Sequence, residues 1–142
     1  MAWSTPKTNW TVSYDGNGVY TGDWVNIEDY NRIKDNIAYL HSVASLIVYD
    51  TYPSMGEDKT YLDYPRASEW NRIETALNQL ETNIGGDFPT VLFMDNGKTP
   101  DYVELNRIES ATVTLKQQYE TAVALTYRLS FTLGRERSVI KT

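Results

Sequence analysis

A six-residue pattern occurs three times in this chain. Asp29-Tyr30-Asn31-Arg32-Ile33-Lys34 returns as Glu69-Trp70-Asn71-Arg72-Ile73-Glu74 and again as Glu104-Leu105-Asn106-Arg107-Ile108-Glu109, at offsets of 40 and then 35 residues. Each time the order is acid, large apolar residue, Asn, Arg, Ile, charge. Three copies of one pattern make the chain three related units. Each copy opens a segment with helical spacing. Tyr30, Ile33, Ile37, Leu40, Ala44 and Ile47 follow steps of three and four, as do Trp70, Ile73, Leu77, Leu80 and Ile84. Leu105, Ile108, Thr112, Leu115, Tyr119 and Ala122 repeat this, with Thr112 the one polar member. Such stripes are the seams of helices packed nearly parallel or antiparallel.

Punctuation places the helix ends. Asn26 is a cap for the first helix, with Asp29 at the third position after it. Tyr64-Pro65 and Thr99-Pro100 set proline just ahead of the other two, and Gly85-Gly86 stops the second. Helices are predicted near 27–48, 67–84 and 101–124. Short strands are predicted outside them. Val12–Tyr14 and Val19–Thr21 flank the turn signal Asp15-Gly16-Asn17-Gly18, Val91–Met94 reads as a short buried strand, and Tyr127, Leu129, Phe131 and Leu133 alternate with polar residues. The expected fold is mainly α: a three-helix bundle of related repeats, with strands in the N-terminal arm, loops and C-terminal tail. Its parts are an aromatic arm (1–25), a three-repeat helical domain (26–126) and a C-terminal strand with a basic tail (127–142). The connections 49–66 and 87–100 are long for a bundle, which suits assembly or recognition surfaces.

Composition narrows the function. The 142 residues fit one domain, and a net charge of −6 with a pI near 4.7 argues against a general nucleic-acid binder. With no cysteine, disulfides, thiolate metal sites and thiol catalysis fall away. No run of about 18 apolar residues exists, so no membrane span is expected. The first residues lack an apolar core, so no secretion signal is expected either, and the sequon Asn9-Trp10-Thr11 carries little weight. Charge is uneven: residues 128–142 sum to +3, with Arg128, Arg135, Arg137 and Lys141 against Glu136, leaving −9 for the rest. A basic end on an acidic body suits docking onto a copy of itself or an acidic neighbour, the plain alternative being a solvated tail.

Candidate chemistry is sparse. Asn31, Arg32, Asn71, Arg72, Asn106 and Arg107 are read as structural hubs: the amide bonds a neighbouring helix or loop, and the guanidinium spreads five donors over carbonyls or carboxylates. A ligand site on these six is the alternative. Asp87, Asp95 and Asp101 lie in loops and are read as solvated, so no catalytic residue is expected. Asp15 and Asn17 lack the remaining calcium ligands, with Val19 and Asn26 where these would stand. The lone His41 is read as a helix-surface residue without a metal partner, and neither metal nor cofactor is expected. Aromatics number 18, eleven of them Tyr. Trp3, Trp10, Tyr14, Tyr20 and Trp24 exceed what a short arm buries by itself, so they pack on the bundle, on another subunit, or on a ligand. With Tyr127, Leu129, Phe131, Leu133, Arg135 and Arg137 they form the candidate interface.

The stretch Trp24-Val25-Asn26-Ile27-Glu28-Asp29-Tyr30-Asn31-Arg32-Ile33-Lys34-Asp35-Asn36-Ile37-Ala38-Tyr39-Leu40 resembles a module found in structural proteins of tailed phages and prophages of Gram-positive bacteria. Ala67-Ser68-Glu69-Trp70-Asn71-Arg72-Ile73-Glu74 is similar to a second copy, and the resemblance spans residues 24–120. The third copy departs after Glu109, where Ser110-Ala111-Thr112-Val113-Thr114 replaces bulkier apolar residues. The resemblance implies a small tail, baseplate or fibre-associated part of a virion, without catalysis or cofactor. The expected role is therefore a virion structural protein, assembled in the host cytoplasm, whose partners are other tail proteins and copies of itself. A carbohydrate-binding host-recognition module and a cell-wall-polymer hydrolase are the rival readings.

Overall fold

The structure, a computed structural model, describes residues 3–140, and the side chains of residues 3–131. Three helices form a bundle: α1 (Ile27–Ala44), α2 (Ala67–Asn83) and α3 (Tyr102–Ile140). Among the described residues there is no sheet, only an antiparallel bridge between Tyr14 and Tyr20. The core is the set of seams named above. Tyr30, Trp70 and Leu105 occupy equivalent positions at the helix starts, and Tyr30 meets Trp70 edge-on at 5.3 Å. Ile33, Ile73 and Ile108 follow, then Ile37, Leu77 and Thr112, then Leu40, Leu80 and Leu115, all buried. Thr112 satisfies its hydroxyl on the Glu109 carbonyl (2.7 Å), which lets a polar residue sit in the seam.

Each helix start is closed by the acid that opens the repeat. Asn26 Oδ1 accepts from Asp29 N–H, and Asp29 Oδ2 accepts from Asn26 N–H, a complete capping box. Asp101 and Glu104 do the same for α3. Arg66 has no side-chain acceptor, so on α2 only the Glu69 half closes, at 2.9 Å from Arg66 N–H. Asp95 supplies the missing acceptor from the next connection, taking Ala67 N–H at 3.0 Å. Near the other end, the buried Tyr119 hydroxyl donates to the Leu80 carbonyl (2.6 Å), an acceptor that the end of α2 leaves over. Burial holds the Tyr119 phenol well above its ordinary pKa, keeping it protonated for that bond.

The three helices run parallel, with their starts together, because contacts join equivalent turns: Arg32 of α1 meets Glu109 of α3, and Arg107 of α3 meets Glu74 of α2. Parallel neighbours explain the long connections, since each must travel back along the bundle before the next helix begins. Residues 45–66 return between α1 and α2, residues 84–101 between α2 and α3. The N-terminal arm fills the third groove, between α3 and α1, with Trp3 against Tyr39 (5.5 Å) and Trp10 on α3. The arm is thus an integral wall of the bundle.

Two expectations are corrected. Residues 127–133 are not a strand: they continue α3, so the expected boundary at 126/127 falls inside a helix. Alternation over seven residues also places Tyr127 and Phe131 on one helix face and Leu125 and Leu129 on another, and no helix breaker precedes Gly134. Val91–Met94 is extended, with Phe93 buried between exposed Leu92 and Met94, but pairs with no strand; its partner is a helix side chain.

Candidate functional site

The repeated Asn does one thing three times. Asn31 Nδ2 donates to the Lys59 carbonyl (3.0 Å) while its Oδ1 accepts Lys59 N–H (2.8 Å). Asn71 grips Phe93 in the same way, at 3.0 and 2.8 Å, and Asn106 grips Trp10, at 2.9 and 2.7 Å. A carboxamide is the side chain that offers one donor and one acceptor side by side, so it pairs with an extended peptide as a neighbouring strand would. The assignment is cyclic: each helix holds the segment that leads into the next, and α3 holds the arm that leads into α1.

The arginines fasten the joints between helices. Arg32 makes a bidentate pair with Glu109, Nε to Oε1 at 3.0 Å and Nη2 to Oε2 at 2.9 Å, and a further bond to Asp29 at 2.8 Å. Burial opposes its charge, but these carboxylates more than offset that and raise the guanidinium above its ordinary pKa. Glu109 also takes the Lys7 amide (3.1 Å) and the Trp10 indole N–H (2.6 Å), tying the arm to the same node. Arg107 meets Glu74 through one oxygen only: its Nη2 and Val91 N–H (3.2 Å) both bond Oε1, and the buried Oε2 has no hydrogen-bond partner among the described residues. Cyclic order would next set Arg72 against residue 34. That residue is Lys, so no ion pair forms. Arg72 instead reaches the Met55 carbonyl at 3.4 Å. Lys34, 3% exposed, is held by Asp58 (2.6 Å), Asp35 (2.8 Å) and the Gly56 carbonyl (3.1 Å). Burial disfavours its charge, and the hydrogen bonds it donates to Asp35 and Asp58 overcome this, raising its pKa.

These joints were only partly legible. The acid closing the second and third copies, Glu74 and Glu109, is as central as the Asn-Arg pair, and its replacement by Lys34 in the first copy was the available signal. Asn36, which holds Ser4 through both of its amide atoms (2.9 and 2.8 Å), had no sequence signal. His41 is corrected from a surface residue to a buried one: it is 8% exposed, stacks near Tyr52 at 5.2 Å, and its Nε2 has no hydrogen-bond partner. Burial lowers its pKa. The loop carboxylates Asp87, Asp95 and Asp101 are all exposed, as expected, and Asp95 and Asp101 serve in addition as helix caps.

The candidate interface divides in the same plain way. Trp10, 3% exposed, belongs to the core and not to a surface. Trp3 is partly buried beneath Lys116, whose ammonium lies 5.5 Å from its ring. Tyr14, Tyr20 and Trp24 form an edge-to-face chain, at 5.5 and 4.7 Å, that ends on Trp24, 73% exposed. Trp24 and Tyr102 stand on the rim of an open groove of about 460 Å³ between the arm and the start of α3, with Asp23 and Asp101 beside them. A second pocket of about 330 Å³ adjoins it, sharing Val25, Thr99 and Pro100 and reaching Tyr64, Pro65 and Trp70. Val25, Pro65 and Pro100 each precede a helix cap, so this face surrounds the point where the three helices start. Tyr127, Leu129 and Phe131 are exposed on the far part of α3; the side chains of Leu133, Arg135 and Arg137 lie outside the described residues, as does Lys141.

Among the described residues no group of three potential ligands is placed to hold a metal ion, and no helix is long and apolar enough to cross a membrane. Comparison of the chain with protein-family models, curated proteins and solved structures found no match. What fold and site define is a closed, parallel three-helix bundle with cyclic internal repetition. Its distinguishing surface is an aromatic face at the helix starts.

Proposed function

We propose that this protein is a structural component of a virion, a tail or baseplate adaptor that works by binding other proteins. The observation that carries the reading is the exposed apolar surface at both ends of a well-packed body. Trp24, Tyr61, Leu62 and Tyr64 lie just ahead of helix starts or bond to one, and Leu125, Leu129 and Phe131 lie on the α3 extension, all exposed. Large apolar side chains left exposed at both ends of the body suit contact with other proteins. The resemblance of residues 24–120 to a module of phage structural proteins gives the assembly its setting. Particles banded from a lysate of the producing bacterium should contain the chain in fixed stoichiometry by mass spectrometry. A chain found only in the soluble fraction, with particles complete without it, removes the reading.

The groove supports a second reading, carbohydrate recognition, because Trp24 and Tyr102 offer ring faces beside the carboxylates Asp23 and Asp101. Glycan-array binding lost in Trp24→Ala is the expected result there; a blank array leaves assembly as the sole account.

A further inference from the structure

The two ends of α3 are complementary. Its last part projects beyond the bundle, because α1 stops at Ala44, whose counterpart on α3 is Tyr119. Beyond Tyr119 the helix runs on for roughly 20 residues, about 30 Å. Leu125 and Leu129 line one face and Tyr127 and Phe131 another, and all four are more than half exposed. A helix with apolar residues on more than one face is suited to contact on more than one side. At its other end, the start of α3 walls the groove that Trp24 and Tyr102 rim, with Asp23 and Asp101 at its edge.

Charge selects the occupant. Two tails lying together would set +3 beside +3, whereas a tail on a body sets +3 against −9. We infer that the α3 extension of one copy of this chain seats in the Trp24–Tyr102 groove of a second copy. Groove and extension lie at opposite ends of the same helix, so a shift along its axis brings one to the other. The contact joins unlike surfaces and leaves a free groove at one end and a free extension at the other. Copies therefore add head to tail, into a row or, where the rotation closes, a ring. The inference rests on the assembly reading and names one partner for it.

The test uses the full chain in sedimentation velocity over a concentration series at low and high salt. The expected result is a mean mass that climbs past that of a dimer and falls back as salt screens the charges. Trp24→Asp destroys the groove and Phe131→Asp the extension, each at an exposed position, with Tyr102→Asp and Leu129→Asp as a second pair if circular dichroism shows lost helix. Each variant alone should associate at least tenfold more weakly. An equal mixture of the two should form a two-copy species and nothing larger, because one intact groove and one intact extension remain. A Trp24→Asp chain that associates as well as the parent overturns the inference in favour of tail-to-tail pairing. A parent chain that stays monomeric at millimolar concentration overturns it outright. Should that monomer still band with particles, the assembly reading survives while the head-to-tail contact does not.

Discussion

The joint between α1 and α3 and the joint between α1 and α2 are built on the same plan with opposite electrostatics. In the first, Arg32 faces Glu109, and the carboxylate also gathers the Lys7 amide and the Trp10 indole. In the second, Arg72 faces an element that presents Lys34, and the two cations take separate acceptors, Arg72 the Met55 carbonyl and Lys34 the adjacent Gly56 carbonyl with Asp58 and Asp35. Both joints nevertheless carry the Asn clamp with nearly identical distances. The clamp reads only backbone, so it is indifferent to which residues drift around it. The ion pair depends on two side chains and can be lost or rerouted. The recurrent Asn therefore defines the repeat unit physically, and the charge after Ile is where the units have diverged.

Breaking the α1–α3 joint at its acid should produce the largest effect. Glu109→Ala leaves Arg32 short of its bidentate partner and Trp10 with an unbonded indole in a buried site, and chemical denaturation should register a loss of about 3–5 kcal/mol. Asn106→Ala removes the clamp while keeping the ion pair. Two backbone groups of Trp10 lose their partners, so a loss of about 2 kcal/mol is expected, with Trp10 fluorescence shifting to the red as the arm loosens. A neutral result in either variant would mean that the arm contributes nothing to the bundle.

The α1–α2 joint should respond less. Arg72→Ala gives up one long carbonyl contact, so its cost should stay within about 1 kcal/mol, well below that of Arg32→Ala in the same denaturation series. Equal losses for the two arginines would erase the distinction between the joints. Lys34→Glu sharpens it further: the new acid faces Arg72 as Glu109 faces Arg32, but it also meets Asp58 and Asp35. The single variant should be destabilised, and adding Asp58→Lys should recover about 1 kcal/mol as a coupling energy in a double-mutant cycle.

The smallest effect concerns pH. His41 lies in the groove wall formed by α1 and the returning segment, and burial lowers its pKa in the folded chain. The unfolded chain therefore binds the proton first as pH falls below the ordinary histidine range, and stability declines on the acid side. His41→Gln should flatten this limb of the melting-temperature profile. Persistence of the same slope would assign it to other groups.

How much of this was legible in the sequence follows from what each signal encodes. The seams gave the helices and the core residues directly, because burial of every third and fourth residue leaves a period that nothing else produces. Pro65 and Pro100 fixed two helix starts to within a few residues. The end of α3 reads as a strand because Tyr127, Leu129, Phe131 and Leu133 satisfy a two-residue period over a short window. The unbroken helical stretch leading into them was the better guide. The seams alone leave parallel and antiparallel packing open; the long connections, as return segments, go with the parallel one. The clamp could not be foreseen residue by residue: its partners, Lys59, Phe93 and Trp10, share no side-chain chemistry, only an extended backbone. The separation of Trp24 from Trp10, one exposed and one in the core, likewise depends on which groove the arm enters.

Cyclic closure has a consequence for synthesis. The arm leaves the ribosome before any of the three helices, yet its holder, Asn106, is made 96 residues after Trp10. Until α3 exists, only the α1 wall of the groove the arm will occupy is present, and most of the arm's aromatics have no surface to cover. The third joint is therefore the last to form and the one with the longest loop to close, which sets an entropic delay at the end of folding. During that delay a second nascent chain presents an equivalent arm to the same groove. The fold thus carries within its ring order a point at which exchange between neighbouring polypeptides competes with completion of each one.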